Sequence, residues 1–143
     1  ETEGNPFFLS EVINLMAHLK AAFGLTYVFI AHDLSVVEHI STHVAVMYLG
    51  HVMEKAPSLA LYKTPKHPYT RALIASIPIA DPRKRAEKKP LTGEVPSPIK
   101  PPPGCVFHTR CPIAEARCRT EVPKPRNLSF GGEEHFVACH LAE

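Results

Sequence analysis

Apolar side chains recur at three- and four-residue spacing through residues 9–23, LSEVINLMAHLKAAF, and place Leu9, Val12, Ile13, Met16, Leu19 and Phe23 on one stripe. That period predicts an amphipathic helix with a buried stripe and with Gly24 as its stop. The pattern then changes. Tyr27, Val28, Phe29 and Ile30 form a short run of aromatic and β-branched residues, which predicts a strand covered on both faces. Residues 34–41, LSVVEHIS, predict a two-turn helix with Asp33 or Ser35 near its start. VAVMYLG, residues 44–50, predicts a second buried strand, and Gly50 turns it into HVMEKA, residues 51–56, a third strand placed at an edge. Met16 and Met47 read as core residues. Helix, strand, helix, strand is the order of an α/β fold. It predicts a thin parallel sheet, and about 60 residues bury only a modest core.

Past residue 57 the alternation weakens. SLALYK, residues 58–63, predicts one helical turn group, and Pro68 opens a helix through Tyr69, Leu73, Ile74 and Ile77 that Pro78 ends. DPRKRAEKKP, residues 81–90, reads as an exposed linker, and TGEVPSPIKPPPG as an extended polyproline-like stretch. Little regular structure is expected from 91 to 125. The chain therefore divides into segments 1–56, 57–80, 81–104 and 105–143.

Charge follows the same division. The net charge of the 143 residues is +2, but residues 1–61 carry −4, residues 62–126 carry +9, and residues 127–143 carry −3. Fourteen of the fifteen prolines lie between Pro57 and Pro125. Two kinds of structure share the chain. The apolar share of 45% argues against wholesale disorder. No apolar stretch approaches the ~20 residues of a transmembrane helix, and acids stand at the N-terminus where a signal peptide needs bases. The expected compartment is the cytoplasm, without secretion or a membrane span.

All four cysteines, Cys105, Cys111, Cys118 and Cys139, fall in the last 39 residues, spaced C-x5-C-x6-C-x20-C. Four thiolates can surround Zn²⁺ or an iron–sulfur cluster and hold a segment that lacks a core of its own. The nearby Arg110, Arg117 and Arg119 would offset the thiolate charge. The spacing is neither that of a zinc ribbon nor that of a bacterial ferredoxin, so disulfides and unrelated thiols stay open beside a metal centre. His108, His135 and His140 are weighed as substitute ligands, but four cysteines already complete a tetrahedral set. The run Arg83, Lys84, Arg85, Lys88 and Lys89 is read as a solvated linker, since no aromatics interleave it for nucleic-acid stacking.

FGLTYVFIAHDLSVVEHISTHVAVMYLGHVME, residues 23–54, resembles the C-terminal part of an ABC transporter nucleotide-binding domain. TPKHPYTRALIASIP, residues 64–78, resembles the His-Pro-Tyr segment of the ATP-binding subunits of bacterial oligopeptide and dipeptide importers. LTGEVPSPIKPPPGCVFHTRCPIAEARC and the closing HFVACH resemble that family's C-terminal extension. The resemblance implies an α/β fold: a partial nucleotide-binding domain, a P-loop NTPase-like sheet remnant over 1–56, followed by a helical His-Pro-Tyr segment, a basic proline-rich linker and a largely irregular four-cysteine extension. It implies that His32, in FIAHD, descends from the switch histidine that contacts the γ-phosphate of ATP. It implies that Cys105, Cys111, Cys118 and Cys139 hold a structural [4Fe-4S] cluster, with zinc as the other metal. A second ATP-binding subunit and membrane permeases are the implied partners, at the cytoplasmic face of the membrane.

Three family features have no counterpart here. No G-x-x-x-x-G-K-[ST] loop occurs among the seven glycines, and neither an LSGGQ-like signature nor a strand ending in Asp-Glu is found. The chain alone is therefore expected not to bind or hydrolyse ATP, and ATP with Mg²⁺ belongs to the intact subunit. Two further expectations complete the reading. An incomplete sheet leaves an open edge at Val28–Ile30 or Val44–Tyr48 and favours self-association. The competing function is a small structural metal module that docks on nucleic acid or on transporter components as a regulatory partner.

Overall fold

The computed structural model describes residues 6–77, 91–129 and 132–143, with side chains from residue 11 onward. The basic run 83–89 lies outside the described residues. The chain forms two compact units, Glu1–Ile40 and Ser41–Glu143.

In the first unit, α1 spans Pro6–Phe23 and α2 spans Leu34–Ile40. Asp33 starts α2: its Oδ1 accepts hydrogen bonds from the amides of Ser35 at 2.9 Å and Val36 at 3.4 Å. The α1 stripe is only half-buried at Val12, Ile13, Met16 and Leu19, and Phe23 is exposed. The strand expected at 27–30 is absent. That segment has no regular structure, and Val28 and Ile30 are 92% and 94% exposed. Among the described residues no strand of this unit can pair with it, and an extended run without a ladder leaves its amides to water whatever its side chains.

The second unit is built on a hairpin. β1, His43–Tyr48, and β2, His51–Pro57, pair antiparallel from His43↔Pro57 to Tyr48↔His51. Leu49 and Gly50 turn between them with φ of 47° and 79°, the two positive φ values of a tight two-residue hairpin. Alternation along β1 buries Val44, Val46 and Tyr48 and turns Met47 outward, so Met47 is exposed rather than core. Two short strands, β3 (Arg126–Asn127) and β4 (Phe136–Val137), complete a sheet of order β1-β2-β4-β3. The elements mix α and β as expected, but all three strand pairs are antiparallel, not parallel. β2 is interior rather than an edge, because β4 of the cysteine segment pairs with it at Glu54↔Val137 and Lys55↔Phe136. β1 is left at an edge.

α3 (Ser58–Lys63) and α4 (Pro68–Ser76) follow the hairpin. Leu61 is fully buried. The main core gathers Tyr48, Met53, Cys105, Val106, Phe107 and Cys118, with Tyr69, Leu91 and Cys111 packed on it. From 91 to 125 the only helices among the described residues are two 3-10 turns, His108–Arg110 and Ala116–Arg119. The cysteine segment is thus irregular yet contributes Cys105, Val106, Phe107 and Cys118 to the core.

Candidate functional site

The His-Pro-Tyr segment starts α4. His67 is the N-cap: its Nδ1 accepts a hydrogen bond from the amide of Tyr69 at 3.0 Å, and Pro68 takes the first helical position, where no amide donor is missed. Burial lowers the His67 pKa from 6.5 to about 4, with the nearby Glu54 partly opposing it. The ring is therefore neutral at pH 7, as an acceptor at Nδ1 must be. Tyr69 packs at 4.9 Å from Tyr48 and 5.2 Å from Phe107, and His67 lies 5.7 Å from Phe107. Burial, followed by Tyr48, raises the Tyr69 pKa against the opposing charge of Arg110. Arg71 is exposed, and its Nε donates to the Pro65 carbonyl at 2.8 Å.

Glu54 ties this segment to both ends of the second unit. A bulge at Met53, where the register shifts between Val46 and Met47, turns Met53 and Glu54 inward in succession. The Glu54 side chain is 0% exposed. Its Oε1 accepts from the Lys66 amide at 2.8 Å, its Oε2 accepts from the His67 amide at 3.0 Å, and His135 Nε2 lies 2.6 Å from Oε1. One carboxyl group thereby joins β2, the start of α4 and the C-terminal segment. The sequence carried no distinguishing signal for it, since Glu54 stands beside Lys55 in a strand that also carries His51.

The cysteine segment folds on itself next. The Cys105 amide donates to the Cys118 carbonyl at 2.9 Å. Gly104 permits this approach: its φ is +68°, and a Cβ there would lie 2.6 Å from the Cys118 carbonyl oxygen. No disulfide forms; all four thiols are free, with Cys105, Cys118 and Cys139 buried. Burial raises the pKa of Cys105, where the amides of Phe107 and His108 oppose it and the thiols of Cys118 and Cys139 reinforce it. Burial also raises that of Cys111, opposed by the Ile113 amide and reinforced by Cys139, Cys105 and Cys118. The Leu141 amide donates to Cys139 Sγ at 3.4 Å. The four thiols thus share one electrostatic neighbourhood and have backbone donors at three of their number. Among the described residues, no three His, Cys, Asp or Glu side chains are gathered closely enough to hold a metal ion as they stand.

The three histidines near these thiols are engaged elsewhere. His108 Nδ1 pairs with the Cys105 carbonyl at 2.9 Å, His135 with Glu54, and His140 Nε2 with the Glu121 carbonyl at 3.0 Å. His32 is exposed and belongs to the first unit. Glu54, Gly104 and Arg126 are contributors that motif reading passed over. Arg126 sits beside β4 and donates to carbonyls around Cys139. No helix among the described residues is long and apolar enough to cross a membrane.

Comparison with known proteins covers the same segments of the chain. Residues 53–118 match the family described as oligopeptide/dipeptide transporter, C-terminal region. That match begins on β2, includes Glu54, the His-Pro-Tyr segment and Gly104, and ends at the third cysteine. The chain is 52% identical over 136 residues to "Oligopeptide transport ATP-binding protein AppF" of Bacillus subtilis, covering 92% of this chain and 40% of that protein. It is 50% identical over 132 residues to "Probable peptide ABC transporter ATP-binding protein y4tS" of Sinorhizobium fredii, covering 92% of this chain and 36% of that protein. The chain is therefore similar over nearly its whole length to peptide ABC transporter ATP-binding proteins and spans about 40% of the length of those it matches, and its residues 53–118 are similar to the oligopeptide/dipeptide transporter C-terminal region.

Proposed function

We propose that this chain is the C-terminal portion of an ATP-binding subunit that energises peptide import across the cytoplasmic membrane. The supporting observation is the identity of about half the residues along nearly the whole chain with proteins named for that role. In this reading the longer subunit binds ATP and Mg²⁺ against a second copy and works with membrane permeases. His32 is its γ-phosphate-contacting switch histidine, standing just before the α2 start that Asp33 caps. The 143 residues by themselves lack the loop that cradles phosphates and turn over no ATP.

The test is a chimera. This chain replaces the matching 136-residue region of the Bacillus subtilis AppF protein, and oligopeptide uptake is measured in cells lacking the native gene. Uptake that His32→Ala abolishes is the expected result. A stable, abundant chimera with no uptake overturns the reading.

In the same reading Cys105, Cys111, Cys118 and Cys139 hold a structural [4Fe-4S] cluster, with zinc as the alternative occupant. The donor chemistry suits either metal, four free thiols with amides aimed toward three of them, and the thiols would have to draw together around it. A bound metal would supply crosslinking of the irregular segment and would displace the thiol protons that burial retains. Iron, sulfide and zinc per chain, measured after purification without oxygen, decide it. About four irons and four sulfides support the cluster. One zinc supports the alternative, and neither metal in a folded chain overturns both.

A further inference from the structure

The four cysteines are not equivalent in how the fold holds them. Cys105, Cys111 and Cys118 come from one stretch of fourteen residues, closed by the Cys105–Cys118 backbone bond and by consecutive 3-10 turns. Cys139 arrives from twenty-one positions further on. Its strand ends at Val137, and the Ala138 amide makes the last main-chain link, to the Met53 carbonyl at 2.8 Å. Beyond that point, side chains hold the backbone. Arg126 Nη2 donates to the carbonyls of Cys139 at 3.1 Å, His140 at 3.4 Å and Ala142 at 2.8 Å. Arg117, next to Cys118, donates from Nη2 to the His140 carbonyl at 3.1 Å.

We infer that Arg126 is the positioning residue that delivers Cys139 to the other three thiols, with Arg117 tying that same loop to the turn bearing Cys118. The inference rests on the four-cysteine reading for its purpose, but its geometry is independent of any metal. Arg126 starts from a fixed point, since β3 pairs it with Val137. From there one nitrogen, carrying two hydrogens, is shared among three carbonyl oxygens that no backbone donor among the described residues serves. A lysine at this position keeps the charge, but its ammonium ends one bond nearer the backbone than Nη2 and does not reach all three carbonyls. Arg126→Lys therefore separates the reach of Nη2 from charge compensation of a thiolate.

The experiment uses the full chain, reduced and stripped of metal, and follows alkylation of each cysteine by mass spectrometry. A surface cavity of ≈ 340 Å³ has Cys139, Arg117, Arg126 and His140 in its wall, so reagent can reach the fourth thiol once the loop loosens. Arg126→Ala is expected to speed alkylation of Cys139 about tenfold and leave Cys105, Cys111 and Cys118 within about twofold. Arg126→Lys is expected to behave like the alanine variant. Zinc affinity, measured by competition with a chelator, should fall about 10–100-fold in both variants. Unchanged Cys139 alkylation overturns the inference, and so does equal acceleration at all four thiols, which reports general unfolding. Full rescue by lysine overturns the assignment to the reach of Nη2. Selective release of Cys139 in a protein that takes up neither iron nor zinc upholds the positioning role and overturns the metal reading alone.

Discussion

Two short apolar runs meet opposite fates in this chain. Tyr27–Ile30 lies exposed and without regular structure, while Val44–Tyr48 is a strand with alternate side chains buried. Both are rich in β-branched and aromatic residues, so intrinsic preference does not separate them. What separates them is the neighbour. Leu49 and Gly50 bring β2 back onto β1 within two residues, and β4 then covers the far side of β2. A strand is thus a property of a pair, and the second unit supplies the pair locally while the first does not.

The sharpest way to break the comparison is to remove what joins the second unit's parts. Glu54→Ala strips the acceptor from the amides of Lys66 and His67 and leaves the His135 ring buried without its partner. The expected loss is roughly 3–5 kcal/mol, the range for breaking one side of a buried pair. It is measured as the urea midpoint of unfolding, with β4 separating from β2. Next in size is Gly104→Ala. The new Cβ meets the Cys118 carbonyl at 2.6 Å in a backbone region that L-residues avoid, at an expected cost of about 3 kcal/mol. Spectroscopic loss of Phe107 packing should accompany that drop. A variant as stable as wild type would show that the cysteine loops do not need their close approach.

Acid sharpens the same comparison through His67. Its pKa is about 4 in the fold against an ordinary 6.5, so the unfolded chain binds the proton more readily in that interval. The associated stability is full above pH 6.5, drains as pH falls, and is gone below about pH 4. The ceiling is roughly 3 kcal/mol. His67→Asn keeps a capping acceptor without the titration, and its stability profile should be flatter between those limits. An identical slope in both proteins would remove His67 as the source.

The elements that were legible in the sequence are those whose cause is local. The turn at Gly50, the Asp33 start of α2 and the Pro68 start of α4 each depend on a residue within a few positions. What was not legible depends on residues far apart. β4 is only two residues long and pairs with a strand about 80 positions earlier. That pairing moves β2 from the edge to the interior, and with the Met53 bulge it makes Glu54 a buried hub rather than a surface carboxylate. The cysteine spacing raised the expectation of a metal centre, but did not reveal that Phe107 and Cys118 would share the core of the hairpin.

The smallest effect belongs to the exposed run, and it tests the comparison from its other side. Val28→Ser and Ile30→Ser replace side chains that are 92% and 94% exposed, so each should change unfolding of the second unit by less than about 0.5 kcal/mol. Val44→Ser and Val46→Ser are the matched changes in β1, where both side chains are buried, and each should cost several times more because a hydroxyl replaces packed methyl groups. Following β-hairpin amides by hydrogen exchange keeps the readout within residues 41–57. If Ile30→Ser accelerates exchange there as much as Val46→Ser, the exposed run contributes to the fold of the second unit, and local pairing alone does not explain why one apolar run became a strand.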